Sequence, residues 1–222
     1  MVSVNGGTNL LIGATTTTGG WSPLVVPPEC ATVWDEAQKD VCFGAAARRS
    51  IAAAPLAWLA RVPAKLVMTF DYFGAGPWYL HSSAPEAFDQ QEKERLGAFE
   101  VVVSRLVLLA ALFASLVRTF RPRGLVDTLA AGASALPLTM LGWVGYLAIP
   151  LSTAVAGRRA LVSGPAIVGF TAVAIVATAV VHAVFFGAGR YGLAVVPFVA
   201  GLAFAPPSDA APAVVVVVAR AS

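Results

Sequence analysis

Charge is what this sequence has least of: Asp, Glu, Lys and Arg make up 12% of 222 residues, where a soluble domain carries roughly 25%. With 58% apolar residues beside them, that scarcity excludes an ordinary soluble globular protein and points to one built in a membrane. The net charge of +3 is no footprint for nucleic acid, because the arginines of the second half stand in short loops between apolar runs, where positive residues set topology. Cysteine and histidine number two each, and no zinc-ligand spacing occurs. A P-loop, a GxSxG nucleophile, a dinucleotide fingerprint and internal repeats are absent as well. No signal peptide is visible, since the first apolar run, Leu10 to Ile12, is short and lacks a basic flank.

What charge there is divides unevenly. Residues 1–98 hold nine acids and seven Lys or Arg, whereas the rest holds eight arginines and three acids. The expected fold is a mainly α membrane protein in two parts. A small α-rich, extracytoplasmic or interfacial domain over 1–98 precedes a membrane region over 99–222 with about four segments, 99–119, 125–150, 161–186 and 191–205. Arg118, Arg121 and Arg123 follow the first segment and place its following loop in the cytoplasm. Residues 125–157 read either as one span or as a broken hairpin, being short for two spans of about 20 residues. Simple alternation of spans puts Arg190 in the cytoplasm; a hairpin at 125–157 returns it to the side of residues 1–98.

In the first hundred residues, 1–30 are dense in Gly, Thr, Asn and Pro and read as loop with one short strand. Thr32 is the expected N-cap of a helix with Asp35 at N3, whose apolar face is Trp34, Ala37, Val41 and Ala45. Pro55 opens a second helix with Leu59, Val62, Leu66 and Phe70 on one side. Phe70, Tyr72, Phe73, Trp78 and Tyr79 read as an interfacial belt. Ser83 and Glu86 have capping-box spacing before a charged stem that runs unbroken into the first span. Cys30 and Cys42 could pair in an oxidising compartment, yet a helix capped at Thr32 puts Cys42 about 15 Å along its axis. Either that helix starts later or the two stay apart.

Three stretches together carry a resemblance. "NGGTNLLIGA" (Asn5, Gly6, Gly7, Asn9 and Gly13) resembles an N-x-G-x-N-L-Y-x-G-N signature. "AAAPLAWLARVPAKL", ending near Lys65, resembles an amphipathic P-x-x-x-x-x-x-P-x-K helix. "HAVFFGAGRYGLA", with His182, Arg190 and Tyr191, resembles an H-x-x-x-F-x-x-x-x-R-Y-R-L-P ending. In this order they are similar to bacterial membrane glycosyltransferases of the family 39 type, related to dolichyl-phosphate-mannose protein mannosyltransferases and lipid aminoarabinose transferases. Departures are Leu11 for Tyr, Ala14 for Asn, Gly192 for Arg and Ala194 for Pro, with one residue more between Pro55 and Pro63 and one fewer between Phe186 and Arg190 than those patterns have.

The resemblance implies a multi-pass protein of the bacterial inner membrane that transfers a sugar from a polyprenyl-phosphate donor. The family's catalytic Asp lies in a loop with no counterpart in 1–222. The chain is therefore expected to be the C-terminal portion, without a catalytic residue of its own, working with a separate N-terminal catalytic half. The alternative is a non-catalytic accessory or assembly subunit. No cofactor is implied for this portion, and a divalent metal belongs only to the complete enzyme. Arg190, Tyr191 and His182 become candidate lipid-phosphate contacts. Their simpler readings are a snorkelling anchor at a helix end for Arg190 and Tyr191, and a hydrogen bond between helices for His182. Asn5 and Asn9 satisfy turn backbone in the simpler reading, Lys65 is an interfacial cation, and Glu100 and Arg105 snorkel from the first span.

Overall fold

The computed structural model describes residues 5–157 and 165–205. It is mainly α-helical, and among the described residues its one trace of β structure is an isolated bridge between Gly20 and Gly187. Five helices, α1 (Gly6–Thr15), α2 (Glu36–Ala53), α3 (Pro55–Leu59), α4 (Val62–Phe70) and α5 (Ala75–Ser83), form a tier across one end of a bundle. The bundle consists of α6 (Gln90–Phe120), α7 (Leu125–Met140), α8 (Trp143–Ala156), α9 (Ala166–Val184), α10 (Gly189–Leu193) and α11 (Val196–Ala203). By length and composition α6 and α9 can each cross a membrane; the pair α2 with α3–α4 adds a third only if a 105° bend is accepted within one span.

The tier departs from the sequence expectations in instructive ways. α1 occupies the stretch read as loop and strand. Its first turn has no side-chain cap of its own; Asp40 of α2 accepts hydrogen bonds from Gly7 N (2.9 Å), Thr8 N (2.8 Å) and Thr8 Oγ1 (2.9 Å) instead. A carboxylate there satisfies orphan donors and complements the helix dipole. α2 starts later than expected, because Asp35, not Thr32, is its N-cap, accepting from Gln38 N at 2.8 Å. The later start leaves Cys30 free to fold back, and it forms a disulfide with Cys42, Cα atoms 5.9 Å apart. α2 buries Asp40, Phe43, Gly44 and Ala47. The predicted apolar face points outward instead, with Trp34 89% and Val41 67% exposed, since the Asp40 and Cys42 attachments fix the helix's rotation.

α3 and α4 are separate helices where one was expected, parted around Arg61, whose guanidinium reaches Ala14 O and Thr16 O at the end of α1. Asp89, not Ser83, caps α6, accepting from Glu92 N at 2.8 Å, while the Ser83 hydroxyl donates to Leu80 O. The unbroken stem into the first span is present: α6 has 31 residues.

Residues 125–157 form a hairpin. On α6, Arg105 reaches Thr139 O at the end of α7, while Phe113 lies beside Gly132, so α7 runs antiparallel to α6. Leu108 meets Gly145 and Ser115 meets Ser152, so α8 runs parallel to it. The turn is made at Leu141–Gly142, with Gly142 at φ 60°. With 16 and 14 residues, the two arms reach about 24 and 21 Å, short of a hydrocarbon core of about 30 Å.

α9 returns towards the tier, its last carbonyls meeting Lys65. α11 turns back, and Arg118 near the end of α6 donates to Leu202 O and Ala205 O. The four expected segments thus become two long helices, a short hairpin and the broken pair α10–α11. The hairpin changes the parity of the chain and brings Arg190 to the same end as residues 5–89. Leu108, Leu112, Ile149, Ile175, Val199 and Leu202 form the bundle core, and Phe70 stacks on Tyr146 at 4.9 Å to join tier and bundle. Arg158, Arg159 and the terminal valine run lie outside the described residues.

Candidate functional site

The turn that follows α9 is threaded through the tier by backbone contacts too close for side chains. A Cβ at Gly187 would lie 2.0 Å from Lys65 O, and one at Gly192 2.0 Å from Thr69 O. At the second position no side chain fits, because α10 lies directly on the α4 backbone. Gly187 N donates to Gly19 O at 2.7 Å, which closes the bridge between the chain after α1 and this turn. Gly13 abuts the Phe185 backbone and Gly7 that of Asp40. The three motif stretches, far apart in sequence, therefore meet around residues 182–192.

Their side chains do different work from that expected. Lys65 is no interfacial cation: it is fully buried. Its Nζ donates to Ala183 O (3.1 Å) and Val184 O (3.2 Å) and lies 5.0 Å over the Trp58 ring. A cation there satisfies the last carbonyls of α9 and the negative end of its dipole. Among the described residues His182 makes no hydrogen bond to another helix; its ring nitrogen bonds to Phe186 O at 2.6 Å, just past its own helix, and its ring lies 4.5 Å from that of Tyr191 in α10. Asn5 and Gly6 are exposed at the start of α1. Asn9 borders a cavity of about 390 Å³ shared with His182 and Tyr191.

Arg190 is exposed. It donates to Tyr79 Oη (3.2 Å) and Tyr191 Oη (3.0 Å) and lies 4.8 Å from the Tyr191 ring centre. The ion pairs among the described residues join Arg49 to Glu29, Arg95 to Glu92 and Arg105 to Asp71; none involves Arg190. Two neutral hydroxyls leave the guanidinium, with five N–H donors in all, able to take an anion. Beside it opens a cleft of about 480 Å³ walled by Trp21, Met68, Tyr72, Trp78 and Tyr79.

Three charges at the junction of tier and bundle, Glu100, Asp71 and Arg105, are already committed. Glu100 accepts from Ala75 N (2.9 Å) and Gly76 N (3.0 Å) at the start of α5. Asp71 accepts from Trp143 N (2.9 Å) at the start of α8 and from Arg105 Nη2 (2.8 Å). Glu100 and Arg105 are thus held by the fold rather than snorkelling to solvent. Among the described residues no group of three or more His, Cys, Asp and Glu could hold a metal ion. Tyr79, Asp40 and Asp71 were not singled out as site or structural partners from the sequence. Asp71 sits within an aromatic run, and nothing local pairs it with the amide of Trp143, 72 positions away.

The arrangement can hold an anionic head between a planar cation and two phenols, with aromatic and apolar walls for whatever is attached to it. Set against known proteins, the chain matches no family model, no curated protein and no solved structure.

Proposed function

We propose that this chain forms the lipid-carrier wall of a polyprenyl-phosphate-dependent membrane glycosyltransferase in the bacterial inner membrane. The observation that carries the proposal is Arg190, exposed, paired with no carboxylate among the described residues and oriented by Tyr79 and Tyr191 at an aromatic cleft. In sugar transfer from such a donor the phosphate leaves as an anion, and a preorganised cation stabilises the charge as it develops. The planar fork of Arg binds a phosphate through paired N–H groups in a way that Lys does not. Asp71 and Glu100, which line a neighbouring pocket with Tyr72 and Gly189, are occupied at helix N-termini; in this reading the general base belongs to a separate catalytic half. The meeting of the three motif stretches around residues 182–192 supports the same reading.

The test is binding of a polyprenyl phosphate, with the uncharged polyprenol as control, to the purified chain in nanodiscs. The phosphate is expected to bind at least tenfold more tightly, with most of that preference lost in Arg190→Lys and all of it in Arg190→Gln. Equal binding of phosphate and alcohol by the unaltered chain would overturn the proposal. That result would favour a non-catalytic accessory subunit.

A further inference from the structure

The hairpin is not merely short; its register on α6 shows which side of the membrane it fails to reach. Its turn lies level with Arg105, where Thr139 O and Trp143 N meet the Arg105–Asp71 pair. The outward apolar face of α6 starts earlier, at Phe99 (68% exposed), and continues through Val102 and Leu106 to Phe120. From Phe99 to Phe120 α6 rises about 31 Å, one hydrocarbon thickness, so the hairpin leaves about 9 Å of that depth unfilled.

Something else fills it. At this level α6 is flanked by α5 and the loop before it. The Phe73 ring lies against Gly97, and Glu100 holds the first amides of α5. From Tyr72 to Pro85 the sequence has no Asp, Glu, Lys or Arg. Its large outward side chains Phe73, Trp78, Tyr79 and Leu80 are between 41% and 55% exposed, and the polar groups exposed at its end are the small hydroxyls of Ser82 and Ser83. A soluble cover over a membrane bundle would put charge on such a face. The donors at the start of α5, which a lipid environment could not satisfy, are instead taken up by a carboxylate from the spanning helix.

We infer that residues 72–85 lie within the outer part of the bilayer, in contact with acyl chains, occupying the depth the hairpin does not reach. The partner of this surface is the lipid itself, because the face is continuous with the lipid-facing side of α6. One consequence concerns access. Trp78 and Tyr79 also wall the Arg190 cleft, so the cleft opens sideways into the leaflet, and a lipid ligand reaches Arg190 without leaving the membrane. The placement of 72–85 does not rest on the glycosyltransferase reading; only the identity of the entering lipid does.

The unaltered chain, reconstituted in phosphatidylcholine–phosphatidylglycerol vesicles, would be photolabelled with an apolar diazirine that partitions into acyl chains. Peptide mapping is expected to find label on 73–80 as heavily as on Phe99–Leu106, and little around Trp34. As a second measurement, variants retaining Trp78 alone or Trp34 alone would be quenched with lipids brominated at carbons 6–7 or 11–12, and with aqueous iodide. Trp78 is expected to respond to the shallow bromines most, at least threefold more than to iodide, and Trp34 in the opposite order. Absence of label on 73–80, or quenching of Trp78 chiefly by iodide, would overturn the inference and make the segment a water-facing cover. Access of neither lipid nor iodide to Trp78 would overturn it too, since protein would then cover the face. Lipid-exposed 72–85 with no phosphate preference at Arg190 would leave this inference standing while the functional proposal fell.

Discussion

In the tier, and where it meets the bundle, helices end on charged side chains sent from other elements; deeper in the bundle, helices meet mainly through hydroxyls and aliphatic packing, with Arg118 at the end of α11 the charged exception. Asp40 closes the start of α1 and Arg61 its end, Glu100 closes the start of α5, and Lys65 crosses from α4 to close α9. Inside the bundle the links are Ser115 to Ser152 at 2.6 Å, Thr119 Oγ1 to Ser152 O at 3.1 Å and Thr171 Oγ1 to Phe198 O at 2.9 Å. Short helices have many unsatisfied ends per residue and little side-chain area to share. The tier's own apolar cluster around α1 and α2, Leu11, Ala14, Cys30, Phe43 and Ala47, is correspondingly small, and a disulfide and buried charge compensate. Long helices in lipid satisfy their backbones internally and need only close packing with occasional polar links.

The largest effect is expected where the two regions join. Asp71→Ala would leave Arg105 unpaired and the start of α8 open, costing about 3 kcal/mol. Unfolding in detergent should then show the tier separating from the hairpin before the bundle melts. Replacing Arg105 by Met in the same chain should restore much of the loss. An unchanged transition in Asp71→Ala would mean that the regions are held together elsewhere, chiefly by the Phe70–Tyr146 stack and the glycine contacts.

Next comes the disulfide. Converting Cys30 and Cys42 to Ser should cost the tier about 2–3 kcal/mol. Faster amide exchange across α1 and α2, with α6 and α9 unaltered, would bear out a local staple; uniform acceleration would not.

Asp40→Asn should cost about 1–2 kcal/mol, in the range of a lost helix cap. Burial pushes the Asp40 carboxyl upward, but hydrogen bonds from Gly7, Thr8 and the Thr8 hydroxyl outweigh it, and the net shift is below the ordinary value. The folded state thus binds the proton less readily than the unfolded chain. The added stability is complete above the unfolded carboxyl's pKa of about 3.9 and fades as pH falls through the lower folded value. The gap between wild type and Asp40→Asn should be flat near neutrality and close in acid; a gap that widened on acidification would contradict the assignment.

The smallest change belongs to the bundle interior. Ser115→Ala should cost about 0.6 kcal/mol, the average for a hydrogen bond between membrane helices. A loss several times larger in a detergent-titration midpoint would show that the bundle also depends on specific polar links.

The sequence was legible where structure is local and periodic. The stem and first span were readable because a charged stretch runs into a long apolar one, and the third segment, expected over 161–186, contains α9, which ends at Val184. The rotation of α2 was not, because Trp34 and Val41 satisfy a helical period as well as Phe43 and Ala47 do. The start of α1 was not, because its capping carboxylate belongs to another helix. At the candidate site, Arg190 and Tyr191 were singled out by the resemblance alone, whereas Tyr79 came from a stretch read only as a belt, and His182 and Lys65 bond to carbonyls at a helix end. Composition and periodicity by themselves determined that this is a mainly helical protein with helices able to cross a membrane, because apolar run length follows from the thickness of lipid. Which end of the bundle holds Arg190, and which charges are spoken for, was decided only by tertiary structure. A hairpin turn at Gly142 reverses the chain's direction, and the groups that hold it, Asp71 and Arg105, come from helices whose meeting no local pattern encodes.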